Sequence, residues 1–440
     1  MRNQMKFVAV MLVAALMLTG CTMRTVDRMY QLPKRSVDYS NLQSVMDKAM
    51  VGLKFSAPIA GDNQQSVQMA DIDGDGEQEY LVFCKGTAEL PLRILVFDRI
   101  DGVFTHIDSI ESNGADFDQV EYIQMDEKPG LEMIVGHKIS DMLTRSVSVY
   151  TFAEGESERL ITTNYRKFLA IDMDADEKSE LFVLRSGQAD TDLGVAEIYS
   201  LKDGIIERSN EVSMSTSVDK LKRVLVGKLY DGKQAVYVAT SVGDSSLVTD
   251  IYTIIDRHLV NVVKTDSQGM GTQTLRNYYI YADDIDNDGV TELPRFITMT
   301  PLNNVPTSEP SKLVLWYAIG SSGNTMDKLY TYYNVVGGWY LEIDSKFASR
   351  ITVQAEANTF EFYLWNENYS HAEKLFTIFT LTGQNREEQS LSDGKFILLK
   401  TDTAIYSATL ETAATGHGVT QENLIGCFSQ IHQDWNSGEM

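Results

Sequence analysis

The chain has 440 residues, 43% of them hydrophobic and 23% charged, with only eight prolines. It is too long for one ordinary domain, and its composition excludes a long disordered tract. A formal net charge of −24 repels nucleic acid and anionic lipid headgroups, so no nucleic-acid partner is expected; the same charge suits a protein that collects divalent cations.

The first element in the chain is a targeting segment. Arg2 and Lys6 flank FVAVMLVAALML at residues 7–18, an apolar run too short to span a bilayer and of the length of a signal-peptide core. Leu18-Thr19-Gly20-Cys21 resembles a bacterial lipobox. The resemblance implies cleavage before Cys21, a lipoprotein signal peptide over 1–20, and acyl chains on Cys21 that hold the mature protein to the cell membrane on its extracytoplasmic side. Residues 21–40 carry Arg24, Arg28, Lys34 and Arg35 with little apolar periodicity, as a tether would. With Cys21 lipidated, Cys84 and Cys427 make no disulfide framework and are expected to be small buried residues.

Residues 41–50 place Leu42, Val45, Met46 and Ala49 on one face, the spacing of a short amphipathic helix. The next element is DIDGDGEQEYLVF (71–83), and it recurs. DMDADEKSELFVL (172–184) and DIDNDGVTELPRF (284–296) repeat it closely; QMDEKPGLEMIVG (124–136) and GKLYDGKQAVYVA (227–239) are weaker copies. A spacing of about fifty residues, with each copy leading into an apolar run, suits the blades of a β-propeller. Alternating or continuously apolar runs fill the gaps: 92–100, 103–110, 146–153, 195–201, 247–255 and 258–264. Turns such as Asp101-Gly102 and Asp203-Gly204 separate neighbouring strands.

After Gly337-Gly338 the period stops. Runs at 339–344, 350–357, 359–365, 374–382, 395–401 and 404–410 read as an antiparallel sheet, and 420–435 places Leu424, Phe428, Ile431 and Trp435 at helical spacing behind Thr420. The expected fold is therefore mainly β: a propeller over 41–336, of about five blades with six or seven open, then a small α+β domain over 337–440.

The three full copies present carboxylates at alternate positions of a tightly turned loop, where side chains at positions 1, 3 and 5 converge on one point. A hard cation wants six to eight oxygens, so a backbone carbonyl at position 7 and a carboxylate at position 9 would complete the shell. The first loop supplies Asp71, Asp73, Asp75, the Glu77 carbonyl and Glu79. The second supplies Asp172, Asp174, Asp176, the Lys178 carbonyl and Glu180; the third, Asp284, Asp286, Asp288, the Val290 carbonyl and Glu292. Oxygen ligands alone favour structural Ca²⁺ over zinc or copper. An EF-hand would need a glutamate at position 12, where this chain has Val82, Val183 and Arg295. Gly76 and Gly289 permit the turn at position 6, whereas Glu177 is expected to strain the second loop.

With these loops the region of about 60–335 resembles the FG-GAP/VCBS-type repeats of integrin-α-like β-propellers, in which a D-x-D/N-x-D-G-x-x-D/E loop binds Ca²⁺ within a blade. The resemblance implies the fold and the calcium at the three intact loops. No Phe-Gly or Gly-Ala-Pro signature accompanies them, so the integrin ligand-binding role does not carry over.

The six histidines show no metal spacing, and no nucleophile elbow, P-loop or dinucleotide glycine pattern is present. The tyrosines at 278, 279, 281, 330, 332 and 333 read as strand packing before a glycan or peptide groove. The expected function is a lipid-anchored, extracytoplasmic calcium-binding protein acting as a non-catalytic scaffold or binder of a protein or glycan at the cell envelope. The alternative is an envelope polysaccharide hydrolase or lyase on the same scaffold.

Overall fold

The computed structural model describes residues 37–139, 144–153, 155–187, 192–302 and 311–431. The lipobox with Cys21, the signal segment and the tether up to residue 36 lie outside them. The first described element is helix α1 (Val37–Ala49), so the tether gives way to helix four residues earlier than the sequence implied.

The described residues are mainly β, arranged in six antiparallel sheets. Sheet 1 holds β1 (Lys54–Phe55), β2 (Val67–Ala70), β3 (Glu79–Lys85), β4 (Leu92–Ile100) and β5 (Val103–Ser112). Sheet 2 is β6 (Asp116–Ile123), β7 (Glu132–Lys138), β8 (Arg145–Ala153) and β9 (Glu156–Tyr165). Sheet 3 is β10 (Lys167–Ile171), β11 (Glu180–Ser186), β12 (Gly194–Lys202) and β13 (Ile205–Ser213). Sheet 4 is β14 (Leu221–Lys228), β15 (Gln234–Val242), β16 (Ser246–Ile255) and β17 (His258–Asn261). Each of these sheets is a meander in chain order, apart from β1, which shares the edge of β3 with β2.

Sheet 5 holds β18 (Glu292–Thr298), β19 (Lys312–Ile319), β20 (Thr325–Asn334) and β21 (Trp339–Ile343). Its opening strand is reduced to one bridge, Asp283 to Glu292. Sheet 6 is β22 (Ile351–Glu356), β23 (Thr359–Trp365), β24 (Ala372–Thr382), β25 (Phe396–Lys400) and β26 (Ala404–Leu410), with β26 between β24 and β25.

The sheets pack face to face in sequence, which explains the continuous apolar runs behind the acidic loops. In β7, Met133 and Val135 pack toward sheet 1 and Ile134 toward sheet 3. In β11, Leu181 and Val183 meet sheet 2 while Phe182 and Leu184 meet sheet 4; in β15, Val236 and Val238 meet sheet 3 while Ala235 and Tyr237 meet sheet 5. A strand covered on both faces loses the usual alternation of apolar and polar residues. On sheet 1, Leu81 and Phe83 face sheet 2, whereas Val82 and Cys84 pack under Leu42 of α1.

Two readings of the C-terminal region change. Helical spacing over 420–435 gives a helix only at Gln421–Cys427, capped as expected by Thr420 through its contact with the Asn423 N–H. Phe428 is extended (φ −98°, ψ 126°), and β27 (Phe428–Gln430) pairs with β21 at the edge of sheet 5. Phe428 stacks on Trp339 with ring centroids 5.2 Å apart and packs against Tyr406; burial between those rings outweighs continuation of the helix. Residues 432–440, including Trp435, lie outside the described ones. Residues 339–343, expected to open a separate domain, continue the sheet of β18–β20, and a common core joins sheets 5 and 6. Cys84 is buried, Cys427 half-buried, and both are free thiols. The strand-packing reading of the tyrosines holds for Tyr332, buried in a core from β20; Tyr281 is also buried, but from a segment outside any strand.

Candidate metal loops

The full acidic loops join β2 to β3, β10 to β11 and the Asp283 bridge to β18, and all three follow one path. Position 1 staples the loop: Asp71 accepts the Gly74 and Gly76 N–H groups at 2.8 and 3.1 Å. Asp172 accepts those of Asp176 and Glu177 at 3.2 and 3.1 Å, and Asp284 those of Asp288 and Gly289 at 3.0 and 2.9 Å. Position 5 caps the next turn: Asp75, Asp176 and Asp288 accept the N–H of Glu77, Lys178 and Val290 at 2.7, 2.9 and 2.9 Å.

The glutamate at position 9 opens the second strand and is buried, with Glu79 and Glu292 at 0% exposure and Glu180 at 4%. One of its oxygens accepts the N–H of position 2: Ile72 to Glu79 at 2.8 Å, Met173 to Glu180 at 2.9 Å, Ile285 to Glu292 at 3.1 Å. The other oxygen of Glu79 and of Glu292 is buried without a hydrogen-bond partner. Burial pushes Glu79 and Glu180 up to about 7 and Glu292 up to about 8, with neighbouring aspartates adding to the shift.

The carboxylates brought together are those of positions 1, 3 and 9. In each of Asp71/Asp73/Glu79, Asp172/Asp174/Glu180 and Asp284/Asp286/Glu292 the donor oxygens lie within 4.8 Å of one another. Position 5 serves the turn. An orphaned carboxylate oxygen buried beside two aspartates is stable only if a proton or a cation neutralises it. The donor set is all oxygen, so the three clusters fit a hard divalent cation.

The degenerate second repeat makes the contrast. Glu132 keeps the bond from the Met125 N–H at 2.9 Å, but its other oxygen has a hydroxyl partner, Thr151, at 3.4 Å. Lys128 stands at position 5, with its ammonium 3.8 Å from Asp126. That loop satisfies itself. In the fourth repeat the connection is only Leu229–Gly232 and the following Lys233, closed by the Leu229 N–H on the Lys233 carbonyl at 2.9 Å.

Left-handed backbone is needed at two positions of each loop, of which the sequence made only position 6 evident. Gly74, Ala175 and Asn287 at position 4 have φ of 79°, 63° and 58°; Gly76, Glu177 and Gly289 at position 6 have 91°, 70° and 86°. The strain expected at Glu177 is present, and Ala175 shares it.

Neighbouring loops are also hydrogen-bonded to each other. The position-8 N–H of Leu131 donates to the Asp71 carbonyl at 3.1 Å, Ser179 to Gln124 at 2.7 Å, and Thr291 to Lys228 at 3.0 Å. Lys178 reaches Glu127 of the preceding loop at 3.0 Å. The second acidic loop borders a cleft of about 760 Å³ whose lining includes Asp174, Glu180, Lys128, Arg208 and Arg257.

No protein-family model matches the chain, and no curated protein does. Solved structures that it resembles include rhamnogalacturonan lyase YesW (12% identity, 73% of this chain and 72% of that one, TM-score 0.28) and the exotype rhamnogalacturonan lyase YesX (13%, 74% and 76%, 0.29). The Bacillus licheniformis rhamnogalacturonan lyase PL11 gives 12%, 73% and 72%, with a TM-score of 0.28. At these TM-scores the likeness assigns no activity to this chain.

Proposed function

We propose that this chain is a calcium-binding protein of β-propeller type, held on the extracytoplasmic side of a bacterial membrane by lipid on Cys21, and that it serves as a non-catalytic scaffold or binder at the cell envelope. One observation carries the reading: a buried glutamate oxygen without a partner faces two aspartates in a loop whose backbone those aspartates already staple. A cation there does structural work, since it neutralises the cluster and stiffens a connection that hydrogen-bonds to the next repeat. The face-to-face succession of sheets supports the propeller-type arrangement. A protein or glycan ligand would sit in the cleft beside the second loop, where a cation and arginines are neighbours.

Calorimetric titration of EDTA-stripped full chain tests the calcium. CaCl₂ should give saturable heat and MgCl₂ at equal concentration little or none, because Mg²⁺ demands a tighter octahedron and sheds water reluctantly. Absence of calcium heat would remove the reading. Fatty-acid labelling lost in Cys21→Ser checks the anchor.

A further inference from the structure

The three acidic loops differ in what surrounds them. In the third, Lys328 of β20 turns into the cluster: its ammonium is 3.6 Å from Asp286 Oδ2, 3.9 Å from Glu292 Oε1, and hydrogen-bonded to Asp288 Oδ2. Its side chain is only 13% exposed. Glu292 Oε1 is the buried oxygen that no hydrogen bond satisfies, so the lysine charge stands where that carboxylate needs one.

A β-bulge delivers the lysine. Between β19 and β20 the register runs Trp316 to Leu329 and then Tyr317 to Asp327, which leaves Lys328 as the extra residue. Sheet 1 has the same bulge between β4 and β5 with Ile107 as the extra residue, and sheet 2 has it between β8 and β9 with Leu160. A bulge re-aims its extra side chain out of the pleat. Ile107 and Leu160 accordingly pack onto the cores between sheets. The third loop has Lys328 at this position, whereas the sheet of the first loop has Ile107 and that of the second has Ser209 and Asn210 in its bulge between β12 and β13, none of them charged.

The other two loops have no such cation among the described residues. Among the described residues, the carboxylates of the first loop make no ion pair. In the second, Lys178 turns out to Glu127 at 3.0 Å and, of the loop's own carboxylates, comes within 4.0 Å of Asp176 alone, at 3.7 Å. A divalent ion entering the third loop would have to share a few ångströms with an ammonium or expel it from a largely buried position.

We infer that Lys328 is a built-in counter-ion that closes the third loop, so that the chain takes two divalent cations, at the first and second loops, and not three. The inference rests on the reading of these loops as cation sites.

Equilibrium dialysis of the EDTA-stripped full chain against saturating CaCl₂, followed by elemental analysis, counts the ions. The wild type should hold two per chain and Lys328→Leu, which copies the aliphatic residue of sheet 2, should hold three. Ile107→Lys, which places the same cation against the first loop, should hold one, and keeps the test open if the leucine variant does not fold. A wild-type count other than two, or an unchanged count in both folded variants, overturns the inference. Three ions on the wild type would do so while leaving the loops as calcium sites; none on any form would remove that reading as well.

Discussion

The backbone N–H of Leu131 donates to the carbonyl of Asp71 over 3.1 Å, tying the loop of the second sheet to that of the first. The loops touch so closely here that a Cβ on Gly74 would lie 2.3 Å from the Pro129 carbonyl carbon and 2.4 Å from the Gly130 nitrogen. Gly76, two residues on, shares the left-handed backbone with a φ of +91° but has open space around it. Gly74→Ala should therefore cost roughly 2–4 kcal/mol, combining left-handed strain with the backbone clash, and Gly76→Ala about 1–2 kcal/mol from strain alone. Urea unfolding of both variants measures the difference, and equal losses would contradict the loop-on-loop contact.

Glu79→Gln separates the loop's two states. The amide can still accept the Ile72 N–H, which Glu79 accepts at 2.8 Å, but it no longer buries a charge. The metal-free protein should melt at a higher temperature than the wild type, and its gain on adding calcium should fall by about half, one of two sites being lost. A metal-free variant less stable than the metal-free wild type would show that Glu79 is satisfied without a cation.

The second loop carries removable strain. Glu177 sits at φ +70° and its side chain is exposed. Glu177→Gly should stabilise the protein by about 1 kcal/mol, the relief of left-handed strain being partly offset by the flexibility of glycine when unfolded. Thermal melting at fixed calcium reads this, and a lower melting temperature would show that the glutamate side chain is needed there.

His137 makes stability depend on pH. It is 2% exposed, and its Nε2 has no hydrogen-bond partner. Burial pushes its pKa from the usual 6.5 down to about 4, and the charge of Arg159 pushes the same way. A folded-state value below the unfolded one means that the contribution is fully present above pH 6.5 and is lost as pH falls toward 4. The loss approaches roughly 3 kcal/mol once both states are protonated. His137→Leu should remove this component, so the stability difference between wild type and variant should change between pH 6.5 and 4. A constant difference across that window would contradict it.

The period and chemistry of the loops were legible because each compresses its carboxylates into nine residues. Strands β4, β23 and β26 were legible to the residue because their apolar runs end at polar turns. The outer strands β9 and β13 were not. Segments such as ESERLITTNY and IIERSNEVS are half exposed at sheet edges, and the single apolar pair in each, Leu160-Ile161 and Ile205-Ile206, sets up no alternation. Phe428 misled because spacings of three and four residues fit a helix face and also an extended segment held between Trp339 and Tyr406. Lys328 lies forty residues beyond Asp288, and only the bulge in β20 brings the two together; no local spacing announces it.

The central claim is that calcium in the acidic loops holds the sheets' connections together. Thermal unfolding of the stripped full chain, with EGTA and then with calcium at about a hundred times its dissociation constant, tests it most directly. Two sites should add about 5 kcal/mol and raise the melting temperature by about 5 °C or more, reversibly on chelation. Superimposable melting curves with and without calcium would contradict it.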